Sequence, residues 1–158
     1  MAIRDDPDIR SVIITGAGNA FCSGGDLSDI ATQTMGADGW RRRLKALHAW
    51  LRELLTFDKV VVTAVAGPAN GAGFALALAG DFIIAAPSAR FSMAFIRIGG
   101  VPDAGGFYTL PRIVGPQKAR EIMLSGREIR AEEALALGIA SEIVPEDALM
   151  ARARAIAE

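Results

Sequence analysis

Three short runs of consecutive apolar residues mark the first half of the chain: Ser11-Val12-Ile13-Ile14-Thr15, Val60-Val61-Val62-Thr63-Ala64-Val65-Ala66 and Asp81-Phe82-Ile83-Ile84-Ala85-Ala86. Each is rich in β-branched side chains and is closed by Gly16, Gly67-Pro68 or Pro87, as a strand ending in a tight turn is. Because none alternates with polar residues, they predict strands covered on both faces. Between the first two, Trp40, Leu44, Leu47, Leu51 and Leu54 recur at helical spacing while Arg41, Arg42, Lys45 and Arg52 fall elsewhere on the wheel. Residues 40–55 therefore predict an amphipathic helix. Residues 72–79 are apolar all round and small-sided, which predicts a short buried helix. Beyond Pro102 the pattern predicts helices over 117–124, 131–137 and 146–157 and a small strand over 139–144. Strands alternating with helices predict one α/β domain over residues 1–158, with no internal repeat or linker.

Composition narrows what such a domain could do. Of 158 residues, 51% are hydrophobic and 22% charged, ample for a core. Seventeen Lys and Arg against eighteen Asp and Glu leave a formal charge of -1, so no global positive field recruits nucleic acid or an anionic membrane. Any anionic ligand must be held by local groups. One cysteine, Cys22, and one histidine, His48, exclude an internal disulfide and a His-pair or cysteine-rich metal site. The first ten residues are charged, and no apolar run reaches the roughly 18 residues of a membrane span. A cytoplasmic, reduced protein without a metal is expected.

Several motifs carry candidate chemistry. Gly16-Ala17-Gly18 follows a strand, but Phe21 stands where the third glycine of a dinucleotide fingerprint would fall. Phe21 also occupies the position two before Ser23 where a nucleophile elbow needs glycine. Arg41-Arg42-Arg43 reads as a solvated helix face. More informative are Phe21-Cys22-Ser23-Gly24-Gly25-Asp26-Leu27 and Gly67-Pro68-Ala69-Asn70-Gly71-Ala72-Gly73-Phe74, each set between a strand and a helix. Both can present bare backbone N–H groups, and two such donors converging on one point make an oxyanion hole. Two tight turns with purely conformational glycines fit the spacing equally well.

Taken in order, these segments carry a resemblance. Val12-Ile13-Ile14-Thr15-Gly16-Ala17-Gly18, Ala20-Phe21-Cys22-Ser23-Gly24-Gly25-Asp26-Leu27, Ala69-Asn70-Gly71-Ala72-Gly73 with Asp81, Ala89-Arg90-Phe91, Pro102-Asp103-Ala104-Gly105-Gly106 and Leu110-Pro111-Arg112-Ile113-Val114-Gly115 together resemble the crotonase superfamily, the enoyl-CoA hydratase/isomerase family. The resemblance spans nearly the whole chain. It implies a crotonase-type ββα spiral (ClpP/crotonase-like) and an acyl-CoA thioester as substrate, with no prosthetic group. It places the two backbone donors for the thioester oxygen on Gly25 and Ala72, and coenzyme A along Cys22, Ser23, Gly24, Asp26 and Leu27. It further implies a homotrimer or hexamer, and a chain corresponding to the central core without the family's N-terminal strands and C-terminal trimerisation helices.

Departures from the family pattern direct the mechanism. The two glutamates that orient water in family hydratases correspond here to Ala75 and Phe95, neither of which can move a proton. Asp103 stands where some relatives carry a functional aspartate, so the resemblance implies that it is the acid/base of a double-bond isomerisation; read alone, just after Pro102, it reads first as the cap of a short helix. His48, 24 positions before Ala72, matches the water-activating histidine of dehalogenase-like relatives. Hydrolysis or dehalogenation of an acyl- or aryl-CoA by Asp103 and His48 is thus an alternative, as is a structural histidine. A third reading is a non-catalytic acyl-CoA-binding or assembly subunit.

Overall fold

The computed structural model describes residues 3–32 and 35–158. Along the chain run β1 (Ser11–Thr15), α1 (Leu27–Thr32), α2 (Ala37–Leu55), β2 (Val60–Val65), β3 (Pro68–Asn70), α3 (Ala72–Ala77), β4 (Phe82–Ala85) and β5 (Arg90–Ser92). A 3-10 turn (Ala94–Ile98), α4 (Gly106–Val114), α5 (Pro116–Ser125), β6 (Glu128–Arg130), α6 (Ala131–Ala136), β7 (Glu142–Ile143), a second 3-10 turn (Glu146–Ala148) and α7 (Leu149–Ala157) complete it.

The three apolar runs are β1, β2 and β4, and they pair in parallel, with Ser11 opposite Val60 and Val62 opposite Phe82. With β7 beside β4 they form a sheet ordered β1-β2-β4-β7. Residues 61–65 of β2 are all buried because both faces are covered. Val62 and Ala64 pack with Ile84 against Leu149 and Ala153 of α7, while Val61 meets Leu51, Leu54 and Ala79 on the other side. The main core gathers Val65, Phe74, Phe91, Met93, Leu110, Ile122 and Ile129, with the Phe74 and Phe91 ring centroids 5.3 Å apart.

Strands β2 and β4 each lead into a strand of a second sheet, where β3 lies parallel to β5 with Ala69 opposite Phe91, and β6 closes the edge antiparallel. After β1 the chain makes the corresponding step, since Cys22 forms a parallel bridge to Ala69. Strand, strand, helix thus recurs, each repeat stacked on the previous one. This is the crotonase-type α/β spiral.

Differences from the sequence pattern have local causes. Helix α2 starts at Ala37, since Ala37-Asp38-Gly39 add a turn with no apolar period to announce it. Helix α4 runs through Pro111, which removes one backbone hydrogen bond and hides the helix from the pattern. The strand expected over 139–144 narrows to Glu142–Ile143, and residues 146–148 form a 3-10 turn ahead of α7. Behind β6, Arg127 joins α5 to α6 by donating to both carboxylate oxygens of Glu133 (2.8 and 2.6 Å) and of Glu121 (2.6 and 3.2 Å). These charge-assisted bonds hold both carboxyls below their ordinary value of 4.5 and raise the guanidinium. Among the described residues, no helix is long and apolar enough to cross a membrane, and no group of three or more His, Cys, Asp or Glu could hold a metal ion.

Candidate active site

The two glycine-rich segments meet backbone to backbone. Phe21 and Cys22 N–H donate to the Pro68 carbonyl (3.0 and 3.1 Å), and Asn70 N–H donates to the Cys22 carbonyl (2.9 Å). A Cβ on Gly73 would lie 2.1 Å from the Cys22 oxygen, and one on Gly24, at φ +91°, would lie 2.7 Å from the Asn70 oxygen. Only glycine lets the loop lie on the start of α3. That contact sets Gly24 beside the Ala72 nitrogen, 3.2 Å from where a Cβ would be. Neither the Gly25 nor the Ala72 backbone N–H donates a hydrogen bond among the described residues. For Ala72 this follows from its place in the first turn of α3, where a helix has no internal acceptor to offer.

Both groups border a cavity of about 740 Å³, which also takes in Cys22, Ser23, Gly24 and Leu27. Asp26 stands outside it: its Oδ1 accepts from Ser28 N–H at 2.8 Å and caps α1. The facing wall is α2, which contributes Trp40, Arg43, Leu44, Leu47, Trp50 and Leu51. The apolar stripe of α2 is therefore divided. Leu51 and Leu54 are buried in the core, whereas Leu44 is 38% exposed and belongs to the cavity. Ala94, Phe95, Arg97 and Ile98 of the 3-10 turn, then Asp103 and Ala104, close the remaining side.

At that side His48 Nε2 and Asp103 Oδ1 are 2.5 Å apart. The contact pins α2 to the turn ahead of α4. Leu51, one helical turn beyond His48, reinforces it, with its Cδ2 only 2.7 Å from the position a Gly105 Cβ would take. Asp103 does not cap α4: Gly105 is the N-cap and receives no side-chain hydrogen bond, and only the Asp103 carbonyl accepts from Gly106 N–H (2.9 Å). Its Oδ2 has no hydrogen-bond partner among the described residues. The His48 side chain is 53% exposed, so it is not a core histidine, and it stands behind Asp103 rather than on the cavity wall. Phe95 faces the cavity beside Gly71, whereas Ala75 is buried under Gly106 and does not reach the wall.

The structure thus brings Gly25, Ala72, Asp103 and the 22–25 loop to one cavity. Sequence reasoning missed Trp50 and Arg97. Trp50 follows Leu47 by three on α2 and was legible in the helical period, but Arg97, in a 3-10 turn, carries no periodic signal.

The profile of a family described as "Enoyl-CoA hydratase/isomerase" matches residues 1–158. Carnitinyl-CoA dehydratases from Citrobacter koseri and Escherichia coli K12 are each 42% identical over 161 residues, covering 98% of this chain and 59% of theirs. Among solved structures, an enoyl-CoA hydratase/isomerase from Cupriavidus metallidurans CH34 superposes with a TM-score of 0.92 at 44% identity, over 99% of this chain and 58% of that one. An enoyl-CoA hydratase from Bacillus anthracis does so with a TM-score of 0.91 at 35% identity, over 99% and 60%. The chain spans about three fifths of the length of the curated relatives it matches.

Proposed function

This chain belongs to the enoyl-CoA hydratase/isomerase family, and on that premise we propose that it acts on acyl-CoA thioesters and shifts a carbon–carbon double bond by proton transfer through Asp103. One observation carries the reading. A carboxylate with one oxygen tied to His48 and the other unpartnered shares a cavity with two unpaired backbone donors, Gly25 and Ala72. The two N–H groups receive the thioester oxygen. Asp103 takes a proton from C2 of a 3-enoyl thioester, the negative charge passes to the oxygen held by the donors, and the same carboxyl returns the proton to C4, giving the 2-enoyl product. Proton and electron count balance with one acid/base group, since an allylic shift needs no attacking water. Each oxyanion donor contributes about 3 kcal/mol to such a transition state.

The curated relatives are named dehydratases, a reaction that adds or removes water. That chemistry requires both an activator for the water and a proton donor. At the positions that the resemblance assigns to those two glutamates, this chain has Ala75 and Phe95, so isomerisation comes first. Incubation with 3-hexenoyl-CoA and 2-hexenoyl-CoA, following isomerisation and water addition separately, tests it. Isomerisation without hydration is expected, and robust hydration without isomerisation contradicts it.

A second reading rests on the His48–Asp103 contact itself, which joins two titratable side chains and suits hydrolysis or dehalogenation of an acyl- or aryl-CoA. His48→Gln keeps a donor for Asp103 but cannot accept a proton from water. Isomerisation retained in that variant, with no hydrolysis in either form, removes the second reading. Thioester binding without any turnover would instead support a non-catalytic binding or assembly role.

A further inference from the structure

The cavity holds a charge that double-bond isomerisation does not use. Arg97 borders it and, among the described residues, makes no hydrogen bond or ion pair. Its stem leans on the turn after α5, with Cγ 3.7 Å from the Cβ position of Gly126, which fixes the root of the side chain and leaves the guanidinium without a partner. Among the described residues, the acidic group that lines the cavity, Asp103, is already engaged by His48. Arg43, on the facing helix, stacks over the Trp40 ring, 5.5 Å from its centroid. Between them the walls are aliphatic and aromatic: Leu47, Trp50, Phe95 and Ile98. With a net charge of -1 over the chain, an unpaired arginine on this cavity is not a by-product of a basic protein. A guanidinium offers a planar fork of donors that matches carboxylate or phosphate oxygens.

We infer that Arg97 is a specificity-determining residue that binds a second anionic group of the thioester substrate, beyond the thioester oxygen itself. This rests on the proposed function of the cavity and adds the charge class of its ligand. Two parts of such a molecule offer that chemistry, a carboxylate at the far end of the acyl chain and the phosphates of coenzyme A.

Calorimetric titration of the wild-type chain and of Arg97→Met with three ligands separates them. The ligands are 3-hexenoyl-CoA, its ω-carboxylated counterpart 3-hexenedioyl-CoA, and 3-hexenoyl-pantetheine, which lacks the phosphates. If Arg97 reads the acyl end, the preference for the dicarboxylyl over the monocarboxylyl thioester falls about tenfold in the variant, the scale of one charge-assisted hydrogen bond. If it reads the phosphates, the preference for the coenzyme A form over the pantetheine form falls by about that factor instead. Arg97→Lys, which keeps the charge without the fork, should lie between the two proteins. Arg112→Gln, which alters an arginine stacked on Tyr108 outside the cavity, should leave both ratios as in the wild type. Ratios equal in wild type and Arg97→Met, with thioesters still bound by both, overturn the assignment of Arg97 and leave the reading of the site standing. A wild-type chain that binds none of the three ligands overturns both.

Discussion

At Gly24 a hydrogen in place of a methyl group allows two donor-bearing segments to touch. Its φ of +91° and the Asn70 oxygen 2.7 Å from a would-be Cβ both forbid a side chain. Gly24→Ala should therefore cost about 1–3 kcal/mol of stability and weaken thioester binding, because the loop must lift Gly25 away from Ala72. Gly18→Ala is the control. It has a comparable φ of +69° but nothing within 4 Å, so it should lose stability and leave thioester affinity intact. Denaturant melts paired with calorimetry read both effects, and equal thioester affinity in the two variants would contradict the packing account. At this scale the sequence was legible only in part. The glycines announced two close-lying loops, but spacing could not distinguish a donor pair from two turns, because the difference lies in unpaired N–H groups visible only once the loops are docked. Asp103 was similarly ambiguous until its partner, 55 residues away, was seen to be His48 rather than the start of α4.

Elements hold these residues in place through a few long-range contacts. Leu51 is 5% exposed and joins α2 to the turn that carries Asp103. Leu51→Ala should cost about 2–5 kcal/mol and, by loosening α2, lower turnover more than a core cavity elsewhere would. Leu110→Ala, in the main core, supplies the comparison, and equal effects of the two on turnover per folded molecule would argue against the positioning role. On the far side, Arg127 ties α5 to α6 behind the 3-10 turn that bears Phe95 and Arg97. Because its two glutamates titrate lower in the folded chain than in the unfolded one, their contribution is complete above pH 4.5 and is lost as pH falls through the folded values. The carboxylates are 39% and 40% exposed, so solvent screens the clamp. Arg127→Met should cost about 1 kcal/mol at pH 7, and urea midpoints of variant and wild type should converge as the pH falls below 4.5 and the two glutamates protonate. A gap that stays constant over that range would show that the carboxylates are not its source. Elements marked by a continuous apolar run, β1, β2 and β4, or by a helical period, α2, were legible in the sequence. The three-residue strands β3, β5 and β6 were not, since three residues define no period and their pairing is set by the strands and helices around them.

For the whole molecule, parallel pairing of β1, β2 and β4 sets the spiral, and the spiral brings the Cys22 and Ala72 segments together. The alternation of strands and helices was readable from sequence because glycine or proline closes each of the apolar runs that form β1, β2 and β4, whereas the spiral was implied by the family resemblance. Large apolar side chains remain exposed between residues 96 and 108: Ile98 at 54%, Val101 at 67%, Phe107 at 56% and Tyr108 at 55%. We propose that this exposed apolar stretch is an association surface, one that the trimer or hexamer implied by the resemblance would cover. Light scattering should give a mass that is a multiple of 16.6 kDa, and a monodisperse monomer at that mass would contradict the expectation. The central claim, that Asp103 moves the proton while backbone groups hold the oxygen, is tested most directly by Asp103→Asn. Conversion of 3-hexenoyl-CoA to 2-hexenoyl-CoA should fall by about a hundredfold or more, with the calorimetric dissociation constant for the thioester unmoved, because the donors belong to the main chain. Conversion at the wild-type rate in Asp103→Asn would contradict it.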